Sequence, residues 1–320
     1  MKKLSLLIAL SISVFLLSWC TPPEPQEPEM DFFVADLAKL YSGMDKYNLW
    51  DYTWALQDYD KAIELNPSSV DTFSVRGVVK YKMGDYTWSI QDFDKVIEID
   101  PNSLDVFGAR GDAKYDLWDY TWALQDYNKA IMLDPVSVVG FNARGDAKYD
   151  LWDYTWALQD FDKAIKIDPK LERAFKTRGQ IKYDLWDYTW ALQDYDKAIE
   201  LDPKFIEAYY DRGLAKYNLE NYYGAIIDYN KVIALDQNIA ESYLYRGEAK
   251  SYLEDYKGAI NDYNRAIELA PNLGEAYYYR GLANVNVEKI NEGCLDLQKS
   301  LELEYSAATQ AIKEYCQLSS

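Results

Sequence analysis

The chain contains no histidine and only three cysteines in 320 residues. Without histidine no side chain has an ordinary pKa near neutrality, so the usual general base, the Ser-His and Cys-His dyads and the commonest metal ligand are all missing. Basic residues are also scarce: 34 Lys plus Arg stand against 53 Asp plus Glu, a formal charge of -19. A surface of that sign repels a phosphate backbone and argues against a nucleic-acid partner. No glycine-rich phosphate loop or nucleophile motif is present, and the closest carboxylate pairs, such as Asp58/Asp60 and Asp194/Asp196, face different sides of a helix. The nearest calcium-like spacing lacks the glycine turn and the closing glutamate. The expectation is a protein that is not an enzyme, with no cofactor and no metal.

What the chain does have is apolar material, 49% of its residues against 27% charged, which is ample for a core and too much for wholesale disorder. It also has a period. Pro67, Pro101, Pro135, Pro169, Pro203 and Pro271 are separated by 34 residues or twice that, with Gln237 in the gap. Arg-Gly pairs keep the same register from Arg76-Gly77 to Arg280-Gly281, and Ser42-Gly43 supplies an earlier copy. Eight units result, over residues 36–307, and their length counts repeats instead of domains.

Each unit reads as a helix hairpin. In the third, Phe107, Leu117, Tyr120, Leu124, Tyr127, Ala130 and Ile131 recur at helical spacing and are expected to form buried stripes. Gly111 and Ala123 are small where two helices must approach. Asp119 stands where the second helix needs an N-cap, Ser103 can cap the first, and Pro135 stops the second.

Phe107, Arg110, Gly111, Lys114, Ala123, Tyr127 and Pro135 set in this register resemble the tetratricopeptide repeat pattern, strongly on the second helix and less on the first, over about 85% of the chain. The resemblance implies an all-α, right-handed α-solenoid of eight helix-turn-helix repeats. Residues 308–320, apolar at Ala311, Ile312 and Tyr315, would form the C-terminal capping helix. It further implies a protein-interaction scaffold that binds a peptide or protein.

In this family the first helices line a concave face, with positions two, five, nine, twelve and thirteen of each unit toward a ligand. By that resemblance Tyr81, Tyr115, Tyr149, Tyr183 and Tyr217 fall at position twelve, Asp116, Asp150 and Asp184 at thirteen, and Asp112 and Asp146 at nine. The implied groove is aromatic and acidic and suits a partner with basic segments, through charge complementarity and cation-π contact. The other reading is that the tyrosines merely pack sideways between first helices. Arg76, Arg110, Arg144, Arg178, Arg212, Arg246 and Arg280 are each followed sixteen residues on by an aspartate, Asp92 through Asp296. That spacing suits ion pairs within a hairpin better than a ligand-binding arginine row.

A near-verbatim segment, Tyr-Asp-Leu-Trp-Asp-Tyr-Thr-Trp, starts at Tyr115, Tyr149 and Tyr183, with a variant from Tyr47. It puts Trp50, Trp118, Trp152 and Trp186 in the turn between helices and Trp54, Trp88, Trp122, Trp156 and Trp190 on the second helix. Tryptophans so placed either cover seams between repeats or form an aromatic edge for a protein or for the sugar rings of a cell-wall polysaccharide such as peptidoglycan.

The first twenty residues differ from the rest. Lys2 and Lys3 precede an uncharged run from Leu4 to Leu17 that is short for a membrane span and reads as an export signal. Leu17-Ser18-Trp19-Cys20 resembles the lipobox of bacterial lipoproteins, which implies lipidation at Cys20, a membrane anchor and a location facing the periplasm or cell surface. A signal retained, or cut elsewhere, is the other reading. Residues 21–35, with Pro22, Pro23, Pro25 and Pro28 among glutamates, would be an extended tether. In an exported chain Cys294 and Cys316 are either a disulfide that pins the cap or two buried thiols.

Overall fold

The computed structural model describes residues 32–316, with side chains from Ala35 onward. The export signal, Cys20, residues 21–31 of the expected tether and residues 317–320 lie outside the described residues, while the last four tether positions, 32–35, already belong to the first helix.

The described residues form seventeen α-helices and no strand. The chain divides into two compact units between Asp134 and Pro135. In the first unit, hairpins form from α1 (Phe32–Asn48) and α2 (Tyr52–Leu65), α3 (Val70–Lys82) and α4 (Tyr86–Ile99), and α5 (Leu104–Asp116) and α6 (Tyr120–Leu133). The second unit begins with α7 (Val138–Asp150) and α8 (Tyr154–Ile167), then α9 (Glu172–Asp184) and α10 (Tyr188–Leu201). It continues with α11 (Ile206–Asn218) and α12 (Tyr222–Leu235), α13 (Ala240–Tyr252) and α14 (Tyr256–Leu269), and α15 (Gly274–Asn286) and α16 (Ile290–Glu302). A last short helix, α17 (Ala308–Tyr315), packs on α16. Within each unit a first helix packs on its own second helix, and that second helix packs on the next first helix. The fold is the all-α helix-hairpin array that the 34-residue period predicts.

The second helices end two residues before the proline position, as with Ile99 before Pro101 and Leu201 before Pro203. A proline there has no amide hydrogen and clashes with the preceding turn, so the helix cannot continue. N-capping is uneven. Asn221 and Asp255 accept from the backbone N–H of Gly224 and Gly258 at 3.0 Å, and Ser137 accepts from Gly140 at 3.1 Å. Asp119 and Ser103 occupy their expected cap positions, but neither side chain makes a cap hydrogen bond. Asp119 then acts only as a negative charge at the positive end of α6.

The core of each hairpin is a small residue facing a large side chain, an aromatic ring in all but the last, where Gly281 faces Leu297. A Cβ added to Gly111 would lie 2.6 Å from Cε1 of Tyr127, so the glycine makes the space the tyrosine fills. Ala123, Tyr127 and Ala130 are buried as expected. Leu117 is not: it is half exposed, because it is the C-cap of α5, where the chain has already left the helix and turned outward.

The arginine and aspartate ladders meet inside hairpins. Arg212 donates to both carboxylate oxygens of Asp228, at 2.9 Å from Nε and 2.5 Å from Nη2, and Lys216 adds a contact of 2.8 Å. The same bidentate pairing joins Arg76 to Asp92, Arg110 to Asp126, Arg178 to Asp194 and Arg246 to Asp262. Each of these guanidinium groups also stacks on the ring three residues before it, such as Phe107 under Arg110 at 5.7 Å and Tyr209 under Arg212 at 5.3 Å. The arginines are therefore structural, and the apolar or aromatic residue usual at that position is replaced by a stacked ion pair.

Candidate functional site

The first helices carry a second set of acids with different chemistry. Asp116 accepts from the Tyr81 hydroxyl at 2.6 Å, and Asp184 accepts from the Tyr149 hydroxyl at 2.8 Å and from the Gln180 amide at 3.0 Å. Asp112 accepts from the Tyr127 hydroxyl at 2.8 Å. Asn218, at the thirteenth position of its unit, donates to the Tyr183 hydroxyl at 2.8 Å. In these three cases position twelve of one repeat is tied to position thirteen of the next, 35 residues on, whereas Tyr217 turns instead to Glu248.

The tyrosines do pack sideways as well. Each lies against the first tyrosine of its own second helix, with ring centroids 5.4 Å apart for Tyr81 and Tyr86, 5.1 Å for Tyr115 and Tyr120, 5.7 Å for Tyr149 and Tyr154, and 5.5 Å for Tyr217 and Tyr222. All of the ten residues named for the groove are half-buried, so a face of each remains available. Asp146 and Asp150 sit in the same register on α7, with Asn142 donating to Asp146 at 3.1 Å.

The electrostatic contrast with the structural ladder is sharp. Asp92, Asp126 and Asp194 each hold an arginine and a lysine, whereas Asp112, Asp116 and Asp184 receive only neutral hydroxyl or amide donors. Burial pushes the Asp112 carboxyl above its ordinary value; the Tyr127 bond opposes this and the Asp116 charge adds to it. The three carboxylates Asp112, Asp116 and Asp184 thus meet neutral donors, whereas Asp211 on the first helix α11 is paired with Lys176 at 3.1 Å.

Sequence reasoning missed Glu248. It occupies the same ninth position as Asp112 and Asp146, one residue after the Arg-Gly pair, so the register contains the signal. It is 5% exposed, its Oε2 accepts from the Tyr217 hydroxyl at 3.1 Å, and its Oε1 is buried without a partner.

The tryptophans form the other candidate surface. Trp118 closes α5 in a Schellman arrangement: its own N–H donates to the Tyr115 carbonyl at 2.8 Å, and the next N–H, of Asp119, reaches back to Lys114 at 2.9 Å. The residue at that place is left-handed, with φ 64° at Trp118 and 63°, 62° and 64° at Trp50, Trp152 and Trp186. Gly84 fills it in the second repeat, and Glu220, Glu254 and Glu288 in the last three. A bulky residue there costs roughly 1–2 kcal/mol relative to glycine.

These four tryptophans cover no seam. Trp118 is 79% exposed, touching Tyr120 at a centroid distance of 6.1 Å, and the other three are alike. Trp54, Trp88, Trp122, Trp156 and Trp190 are about half exposed, each with a lysine of its own hairpin near one ring face, as Lys148 is to Trp156 at 5.6 Å. Strain and exposure at one residue are expected to show in a simple substitution. Trp118→Gly is expected to raise stability by about 0.5–1 kcal/mol, the relief of backbone strain less the lost ring contact. Urea midpoints of parent and variant measure this, and a fall would mean that the indole packs better than its exposure implies.

At the other end, Cys294 and Cys316 are joined in a disulfide, with Cα atoms 5.7 Å apart, so α16 is bonded to the residue that ends α17. Among the described residues no group of three or more acids or cysteines is placed to hold a metal ion, and no helix is long and apolar enough to cross a membrane.

Residues 179–220 and 252–287 match a family model described as TPR repeat, and residues 71–103 and 206–239 match one described as Tetratricopeptide repeat. The chain carries tetratricopeptide repeats. No curated protein matches it. Among solved structures, the C-terminal part of a TPR repeat-containing protein from Cytophaga hutchinsonii aligns at TM-score 0.61 and 22% identity, over 73% of this chain and 97% of that one. PilF of Pseudomonas aeruginosa aligns at 0.60 and 20% identity, over 67% and 97%. YrrB, described as a TPR protein with an unusual peptide-binding site, aligns at 0.51 and 22% identity, over 57% and 95%. These likenesses are of fold. Tetratricopeptide repeats generally serve as non-enzymatic protein-interaction scaffolds, and the fold of this chain is of that kind.

Proposed function

We propose that this chain is a protein-interaction scaffold that holds a basic segment of its partner against the first helices of a unit, along Tyr81, Asp112, Tyr115 and Asp116 in the first or Asp146, Tyr149, Asp150, Tyr183, Asp184 and Tyr217 in the second. One observation carries the reading: Asp112, Asp116 and Asp184 have neutral donors only, while the aspartates between helices are saturated with arginine and lysine. A lysine- or arginine-rich segment supplies the missing charge, and half-buried tyrosine rings add cation-π contact area at low entropic cost.

A second reading rests on the turn tryptophans. Bulky side chains kept exposed at left-handed positions in four of the first five repeats favour an aromatic edge that stacks on the sugar rings of a cell-wall polysaccharide. The same reading takes the chain to be exported and anchored through a lipid at Cys20. The bond between Cys294 and Cys316 supports an oxidising, extracytoplasmic location.

A photocrosslinking residue placed in turn at Val139, Asn218 and Trp152 separates the two in cells. Capture of a lysine- or arginine-rich segment from Val139 and Asn218 is the expected result. Capture from Trp152 alone, together with retention of the protein on purified peptidoglycan that Trp118→Gly and Trp152→Gly abolish, would replace the first reading with the second.

A further inference from the structure

Between α13, α14 and α15 lies a cavity of about 200 Å³ lined by Glu248, Tyr252, Tyr256, Tyr279 and Asn286. Its composition is unusual for a repeat core. Three phenol rings share the wall with one carboxylate, Leu282 and Ala283, and the described structure places no cation on that carboxylate. Tyr252 at the rim is 60% exposed and stacks on Tyr222 at a centroid distance of 4.7 Å, which holds its ring in place, and Asn286 is exposed beside it. The cavity therefore reaches solvent past a fixed aromatic edge.

We propose that this cavity is a binding site for a single alkylammonium group, held by charge on Glu248 and by the faces of Tyr252, Tyr256 and Tyr279. A buried carboxylate oxygen without a partner costs free energy that an incoming ammonium donor removes. Tyrosine rings attract a cation through their negative faces and tolerate the alkyl stem beside it. Tyr217 donates to Oε2 and the Tyr279 hydroxyl lies near the carboxyl, but Oε1 makes no hydrogen bond of ordinary geometry, so an ammonium donor can take it. A phosphate or carboxylate ligand is excluded by the same charge, and Glu275 on α15 strengthens that bias. The sequence of the site also sets it apart from the other repeats: position thirteen is tyrosine only at Tyr252, and position nine is glutamate only at Glu248.

This inference rests on the reading of the first helices as a cation-binding face, and the two fail separately. Calorimetric titration of the full chain with butylammonium at pH 8, where Glu248 is ionised, with neutral butan-1-ol as the control, tests it. Binding of butylammonium and not of the alcohol is expected. Glu248→Gln should lower the affinity at least tenfold and Tyr252→Leu several-fold, while Glu64→Gln, an exposed acid elsewhere, leaves it unchanged. A capped pentapeptide, Gly-Gly-Lys-Gly-Gly, fixes the source of the group: tighter binding than butylammonium assigns the site to a lysine of a protein partner, and weaker binding assigns it to a free small amine. No binding of either probe, or equal binding to Glu248→Gln, overturns the proposal. If that happens while Val139 and Asn218 still capture a basic segment, only the cavity assignment is lost. If butylammonium binds and no basic segment is captured, the cavity stands and the extended face does not.

Discussion

At pH 8 the Glu248→Gln protein is expected to be more stable than the parent by roughly 3 kcal/mol, a difference that should all but vanish at pH 4.5. Burial raises the Glu248 carboxyl from 4.5 to about 7, with the Tyr217 bond opposing, the Glu275 charge adding, and the nearby Tyr279 hydroxyl opposing. A group raised on folding binds more protons in the native state than in the unfolded chain. Its contribution is therefore fully present below the unfolded value and is lost as pH climbs through about 7. Glutamine keeps an acceptor for Tyr217 and removes the charge. Urea midpoints of both proteins across that range measure the effect, and the difference between them isolates this residue from Asp112, Asp211 and Glu275, which burial also raises. A constant offset at all pH values would mean that Glu248 is not the titrating group.

Asp228→Ala is expected to cost about 3–5 kcal/mol, the largest effect of any single change considered. Asp228 is 0% exposed and takes both Arg212 bonds and the Lys216 contact, so its loss leaves two cations half-buried with no counter-charge between them. Arg212 keeps Asp196 at 2.7 Å, but that partner is exposed and holds little. Replacing Arg212, Lys216 and Asp228 together with methionine and leucine should recover most of the loss, because the desolvation of all three charges is removed at once. Thermal or urea unfolding reads both outcomes. Full loss in the triple variant would show that the network itself, and not its unpaired remainder, stabilises the hairpin.

The fold was legible because repetition multiplies a weak signal. One proline or one Arg-Gly pair means little, but the same spacing in unit after unit leaves a helix hairpin as the only element of that length with a glycine at its crossing and a stop at its end. Gly111 against Tyr127 is such a pair, and the sixteen-residue offset from arginine to aspartate was readable for the same reason. The failures came where local chemistry had alternatives. Asp119 and Ser103 have the right identity for caps, yet their side chains make no cap bond, and Leu117 looked like part of an apolar stripe although it ends the helix.

The sequence alone determined the period, the hairpin, the acidic balance and the identity of the residues on the first helices. Only the tertiary structure decided which acids are compensated, since Asp116 and Asp126 are alike as letters and differ because one meets a tyrosine and the other an arginine and a lysine. It also decided that the turn tryptophans are exposed and left-handed, and that Glu248 faces a tyrosine-lined cavity. The physical reason is range. Helix formation and hairpin crossing are set by neighbours within one repeat, whereas charge pairing and burial depend on which side chains adjoining helices bring within a few ångströms.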